Sequence, residues 1–184
     1  MSAVRRRPLR AETDTSVFAR RCRDVIAPWL EGFGFSQAEK KVDRWTATCC
    51  FVNGQRYVRA TANCDPREPP GYCNIVLGEG ELSWPEVDWN GVALWRLARA
   101  LGDSTASEYP LDSAKEIPAI VERMRVDLER HALDFLRGDL SAFTQVRAET
   151  NRAREPYTIH EPTGDGTYRT RVDPTSAALK ARFS

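Results

Sequence analysis

From Thr15 onward the apolar residues Phe18, Cys22, Val25, Ile26, Trp29, Leu30 and Phe33 recur at helical spacing and place one apolar stripe along one face. Asp14, Thr15 or Ser16 is available as the N-cap, Pro28 predicts a kink or a tightened last turn, and Gly32 and Gly34 let the chain leave. The pattern then changes from helical to alternating. Residues 45–52 and 55–64 read as two strands joined by Asn53-Gly54, a dipeptide that two-residue hairpin turns favour because both central residues take positive φ. That turn sets Val52 opposite Gln55. It follows that Phe51 faces Arg56, Cys49 faces Val58, Ala47 faces Ala60 and Trp45 faces Ala62 on one nearly apolar side, the core side. The other side carries Thr46, Thr48, Cys50 and Val52 against Gln55, Tyr57, Arg59 and Thr61, and is expected to face water or a partner.

Asp65-Pro66-Arg67-Glu68-Pro69-Pro70-Gly71 separates this hairpin from a strand over residues 72–77, and residues 37–42 suit an earlier edge strand. A helix is predicted from Val92, capped by Asn90 or Asp88, with Leu94, Trp95, Leu97, Ala98 and Leu101 apolar and Trp95 in the core. The longest helical stripe runs through Ile117, Ile120, Val121, Met124, Leu128, Ala132, Phe135 and Leu136, capped by Asp112 or Ser113 and closed by Gly138. Asp139 then caps a short helix through Leu140, Phe143 and Val146, which ends in the polar run 147–156. Residues 157–172 form a hairpin around Gly164-Asp165-Gly166, and Asp173-Pro174 opens a last helical turn with Leu179 and Phe183 apolar.

These elements predict an α+β fold with an N-terminal helix, an antiparallel meander of three to five strands, and two or three C-terminal helices backing the sheet. Three segments follow: a basic arm over residues 1–13, one domain over 14–153, and a tail over 154–184. The tail has too little apolar surface to fold alone, so it is expected to dock on the domain or on a partner.

A length of 184 residues suits one domain, and a formal charge of +1 gives no global bias towards nucleic acid or membrane. No apolar run approaches the ~18 residues of a membrane span, and the basic start MSAVRRRPLR leads into AETDT, where a signal peptide needs its apolar segment. An intracellular, cytoplasmic protein is expected. Cys22, Cys49, Cys50, Cys64 and Cys73 are odd in number and lack the close pairs of a zinc site, and the adjacent Cys49-Cys50 point to opposite strand faces. Their expected role is as small buried apolar side chains. Neither a metal site nor a cofactor is expected.

Chemistry concentrates in residues 72–101, where Glu79, Glu81, Glu86 and Asp88 interleave with Trp84 and Trp89. Exposed aromatic and charged residues on a loop held by a rigid scaffold form a recognition surface, here for a protein partner with a basic face. The Gly78-Glu79-Gly80 turn does not read as a phosphate loop, because the glutamates on either side of Gly80 repel the anion. Two alternatives use other chemistry. In one, the loop carboxylates serve a hydrolase or hold magnesium, although their spacing sets no acid–base pair. In the other, Arg5, Arg6, Arg7 and Arg10 contact nucleic acid. His131, beside the long helical stripe, has no ligand at i±4 and reads as a boundary residue, while His160 lies in the tail.

A helix ending in Gly34-Phe35, a strand with Trp45, and strands ending near Asn74-x-x-x-Gly78 together resemble uncharacterised bacterial α+β domains, some of which are found near toxin–immunity loci. The resemblance spans residues 18–136. It implies a non-enzymatic binding domain of the immunity type and carries over no catalytic residues.

Overall fold

A computed structural model describes residues 13–67, 71–103, 109–164 and 166–184. Helix α1 (Asp14–Arg21) starts at Thr13, whose hydroxyl accepts from the Ser16 amide, so the cap lies one residue before the three predicted candidates. The helix continues through a π-turn at Cys22–Ile26 into α2 (Ala27–Glu31). Pro28 sits at the start of α2, where its missing N–H and bulky ring disrupt the regular ladder; a widened turn just before it absorbs the disruption.

Strands β1 (Ser36–Val42), β2 (Thr46–Asn53), β3 (Arg56–Asn63), β4 (Gly71–Glu79) and β5 (Gly91–Ala93) run in an antiparallel meander, and the short β6 (Tyr109–Leu111) pairs with the other end of β4. The β2–β3 register differs from the predicted one by two residues. Asn53 pairs with Arg56, so the turn is Gly54-Gln55, and Phe51 faces Val58, Cys49 faces Ala60, and Ala47 faces Ala62. Asn53 is drawn into the ladder because its Nδ2 donates to the Phe33 carbonyl at 2.8 Å, tying the hairpin end to the exit of α2. A shift of two preserves the faces, so Ala47, Cys49 and Phe51 lie on the core side as predicted, whereas Trp45 precedes β2, is half-exposed under the Arg44 guanidinium and lies outside the core. Gly54 has φ +59°, where a β-branched residue clashes with its own backbone. Replacement by valine is expected to cost about 1–2 kcal/mol, read as a lowered urea midpoint.

The predicted helix from Val92 begins later, because Val92 belongs to β5, and α3 is Leu94–Ala100. The long stripe divides into α4 (Ile117–His131) and α5 (Leu133–Arg137), broken at Ala132 and closed by Gly138 with φ +100°. Helix α6 (Ser141–Ala153) extends well into the predicted polar run. Strands β7 (Thr158–Pro162) and β8 (Tyr168–Val172) form the expected small hairpin, and α7 (Pro174–Phe183) is capped by the Asp173 carboxylate. The turn residue Asp165, along with Glu68, Pro69, Pro70 and the arm arginines Arg5, Arg6, Arg7 and Arg10, lies outside the described residues.

Helices α1, α4, α5 and α6 bury the inner sheet face in one core that contains Phe18, Leu30, Phe51, Ile75, Leu77, Met124 and Phe135. Cys22, Cys49, Cys50 and Cys73 are buried free thiols, as expected of small apolar side chains, and Cys64 is half-buried. Burial pushes the Cys50 thiol up to about 11 and that of Cys73 to about 12. No helix among the described residues is long and apolar enough to cross a membrane.

Candidate functional site

The outward sheet face is not wholly open. The loop of residues 80–90 folds back over one end of it, burying Val87 against Cys50 and Tyr57, with Val52, Val76 and Leu82 partly covered. This corrects the expectation that the side carrying Cys50 and Tyr57 faces water or a partner: the chain's own loop covers both. Tyr57 lies flat across the sheet because its cross-strand neighbour is Gly78; a Cβ at Gly78 would fall 2.0 Å from Tyr57 Cζ. Its hydroxyl donates to Asn90 Oδ1 at 2.6 Å, and Asn90 Nδ2 donates to the Glu81 carbonyl at 2.7 Å. Burial drives the Tyr57 phenol well above its ordinary value.

The carboxylates predicted to wait for a partner are mostly engaged by the chain itself. Glu79 pairs with Arg147 at 3.2 Å and Glu86 with Arg182 at 3.4 Å. Asp88 Oδ2 accepts from the Tyr157 hydroxyl at 2.6 Å, and the Asp88 carbonyl accepts from Arg154 Nη1. Burial, then the bond to Asp88, pushes the Tyr157 phenol up to about 12. Glu81 is different: it is exposed, and among the described residues its carboxylate accepts from Ser83 Oγ alone, at 3.0 Å.

The two tryptophans of the loop also part company. Trp89 is 0% exposed, packed edge-on to Tyr157 at 5.9 Å, and its carbonyl accepts from Asn151 Nδ2 at 2.7 Å. An expected partner-facing ring is therefore a buried anchor, held in by α6 and the tail. Trp84 is 72% exposed, and its ring stacks on the other side of the site against Tyr157 at 6.2 Å and 12°. The Trp84–Pro85 peptide is cis.

Composition alone did not single out the residues that hold this loop: Arg147, Asn151, Arg154, Tyr157 and Arg182. A signal existed, since Phe143, Arg147 and Asn151 recur at helical spacing and so share one face of α6, with Arg154 at its C-cap. The tail docks on the domain through the same contacts. Asn151 Nδ2 also donates to the Phe183 carbonyl at 3.2 Å, while within the tail the Tyr157 amide donates to Ser176 Oγ at 2.9 Å.

Grooves also lie elsewhere. Between α3 and α6, Trp95 is half-exposed rather than in the core, with the Arg96 and Arg99 guanidiniums 4.5 and 5.1 Å from its ring centroid in a groove of ≈ 370 Å³. On the uncovered part of the outward sheet face, Glu39, Lys41, Thr48, Arg59, Thr61, Tyr72 and Asn74 line a groove of ≈ 380 Å³ that ends at Val76 and Leu82.

The histidines sit apart from all of these. His131 is buried 3.3 Å from Asp103, and His160 Nδ1 is 3.2 Å from Thr170 Oγ1 on the tail hairpin. Among the described residues no three His, Cys, Asp or Glu side chains converge on a point that suits a metal ion. No family model, curated protein or solved structure was found to match the chain.

Proposed function

We propose that the chain is a non-enzymatic protein-binding module acting inside the cell, whose partner docks on the Trp84–Tyr157 plate and the neighbouring Glu81 carboxylate. One observation carries this reading: Trp84 is 72% exposed on a loop that the chain itself holds rigid. Large rigid aromatic side chains dominate interface energetics, and a loop already ordered loses little freedom on binding. The stacked rings offer a π-face to a cation and Glu81 offers a charge, so the partner presents arginine or lysine. Free cysteines suit a reducing compartment. The role of the loop carboxylates as internal ties favours this reading over a hydrolase, because Glu79, Glu86 and Asp88 are already occupied. An immunity-type role follows from the family resemblance.

Quantitative affinity capture from host lysate with wild-type, Trp84→Ala and Glu81→Lys baits tests the proposal. Trp84→Ala is expected to weaken the captured partner by on the order of 2 kcal/mol without unfolding the bait, since the ring is largely in water already. Glu81→Lys is expected to slow association, most strongly at low salt. A partner retained equally by both variants removes the plate from the interface.

A further inference from the structure

The uncovered sheet groove differs from the loop beside it in one respect. In the loop nearly every polar side chain is tied within the chain. In the groove, Thr48, Thr61 and Asn74 form one cross-strand row, Arg59 stands in the next between Cys50 and Val76, and Tyr72 closes the far end. None of these five polar side chains makes a side-chain hydrogen bond or ion pair among the described residues, whereas Lys41 pairs with Glu39 at 2.7 Å. Arg59 is half-buried on a central strand, a setting in which a guanidinium normally has a carboxylate partner.

The floor is therefore rich in donors. Arg59 brings five N–H groups, Asn74 two, and the hydroxyls of Thr48, Thr61 and Tyr72 can each donate one. Such a set matches an anion with several acceptor oxygens better than a two-oxygen carboxylate, and a planar guanidinium engages phosphate in a bidentate fork. The volume of ≈ 380 Å³ far exceeds a lone phosphate and lies at the lower end of small-ligand pockets. The remaining lining is the Glu39 carboxylate, whose charge Lys41 offsets at 2.7 Å, and surface that a phosphate does not need: the half-exposed Tyr72 ring, 47% accessible, at one end, and Val76 and Leu82 at the other. Aromatic rings on an open sheet face take planar bases by stacking.

From these features we infer that the groove is a nucleoside-phosphate site, in which Arg59 holds the phosphate with Thr48, Thr61 and Asn74, and Tyr72 stacks on the base. The site goes beyond the Trp84 surface and does not depend on it. The same chemistry comes from a free nucleotide or from one unit of a single-stranded nucleic acid, and the test separates the two sources.

The full chain is titrated with inorganic phosphate, 5′-AMP and a short oligothymidylate while backbone amide shifts are followed by NMR. Saturable shifts centred on Thr48, Arg59, Thr61 and Asn74 are expected, with 5′-AMP or the oligonucleotide binding more tightly than phosphate alone. The tighter of the two identifies the source. Arg59→Gln is expected to weaken binding about tenfold or more. Tyr72→Ala, at a half-exposed position that tolerates change, is expected to weaken 5′-AMP and leave inorganic phosphate unaltered. Absence of saturable shifts with all three probes overturns the inference. So does phosphate binding as tightly as 5′-AMP and the oligonucleotide, or binding that survives Arg59→Gln undiminished, which places the contact elsewhere, for instance on the arm arginines.

Discussion

Replacing Trp89 with alanine is expected to lower folding stability by about 3–5 kcal/mol, a large share of the total for a domain of this size. The indole is 0% exposed and packs against the Tyr157 ring and the Arg154 guanidinium, which is 5.1 Å from its centroid. Deleting it removes the transfer free energy of a large aromatic side chain. It also leaves a void that the tail cannot fill by sliding, because the tail is held at its far end by the bond from Asn151 to the Phe183 carbonyl and by the Arg182–Glu86 pair. Trp84 provides the internal control. Its alanine variant gives up a single stacking contact with Tyr157, so the loss is expected to stay near 0.5–1.5 kcal/mol. Urea midpoints of the two variants, measured side by side, distinguish anchor from exposed plate. Equal small losses would show that Trp89 is not packed as described. The contrast also decides how affinity data are read, because a binding defect in the Trp89 variant reports unfolding while one in the Trp84 variant reports the interface.

What was legible in the chain follows from how local each signal is. The Phe18-to-Phe33 stripe, the alternation in residues 45–52 and 55–64, and the Ile117-to-Leu136 stripe each encode a face through a fixed period, and all three faces pack into the core, with Trp45 the exception at the start of the first strand. The hairpin register departs by two residues from the one that Asn53-Gly54 predicts, because one long-range bond, Asn53 to the Phe33 carbonyl, outweighs the turn preference. Val92 joined β5 rather than α3 because it pairs with Leu77, a contact with no trace in the local sequence. The loop shows the same limit more sharply. Four carboxylates and two tryptophans read as a surface when taken alone, yet their partners Arg147, Arg154, Tyr157 and Arg182 lie roughly 60 to 100 positions downstream. Local composition cannot say whether a carboxylate meets a cation of its own chain or of another. Among the described residues Glu81 and Arg59 have no oppositely charged partner in the chain, and Trp84 stays 72% exposed despite its stack on Tyr157.

Asn151 is the residue on which the whole arrangement turns, and Asn151→Leu is expected to cost about 2–5 kcal/mol. Its side chain is 2% exposed, and its Nδ2 donates both to the Trp89 carbonyl at 2.7 Å and to the Phe183 carbonyl at 3.2 Å. Leucine keeps much of the volume while removing the donor, so two buried carbonyls lose their partner at roughly 1–3 kcal/mol each. The effect is expected to be directional. Helix α6 still packs through Phe143 and Val146, so the inner core holds, while residues 84–90 and α7 lose the bridge between them. Hydrogen exchange read by mass spectrometry is therefore expected to accelerate in the loop and in α7 and to remain slow in β2, β3 and α4. Uniform acceleration across the chain would mean that Asn151 supports the global fold; unchanged exchange in both segments would mean that the bridge carries little. The functional consequence follows from the entropy of ordering. A loop released in this way must be fixed again before Trp84 can meet a partner, so affinity is expected to fall in a variant whose altered side chain lies out of the partner's reach.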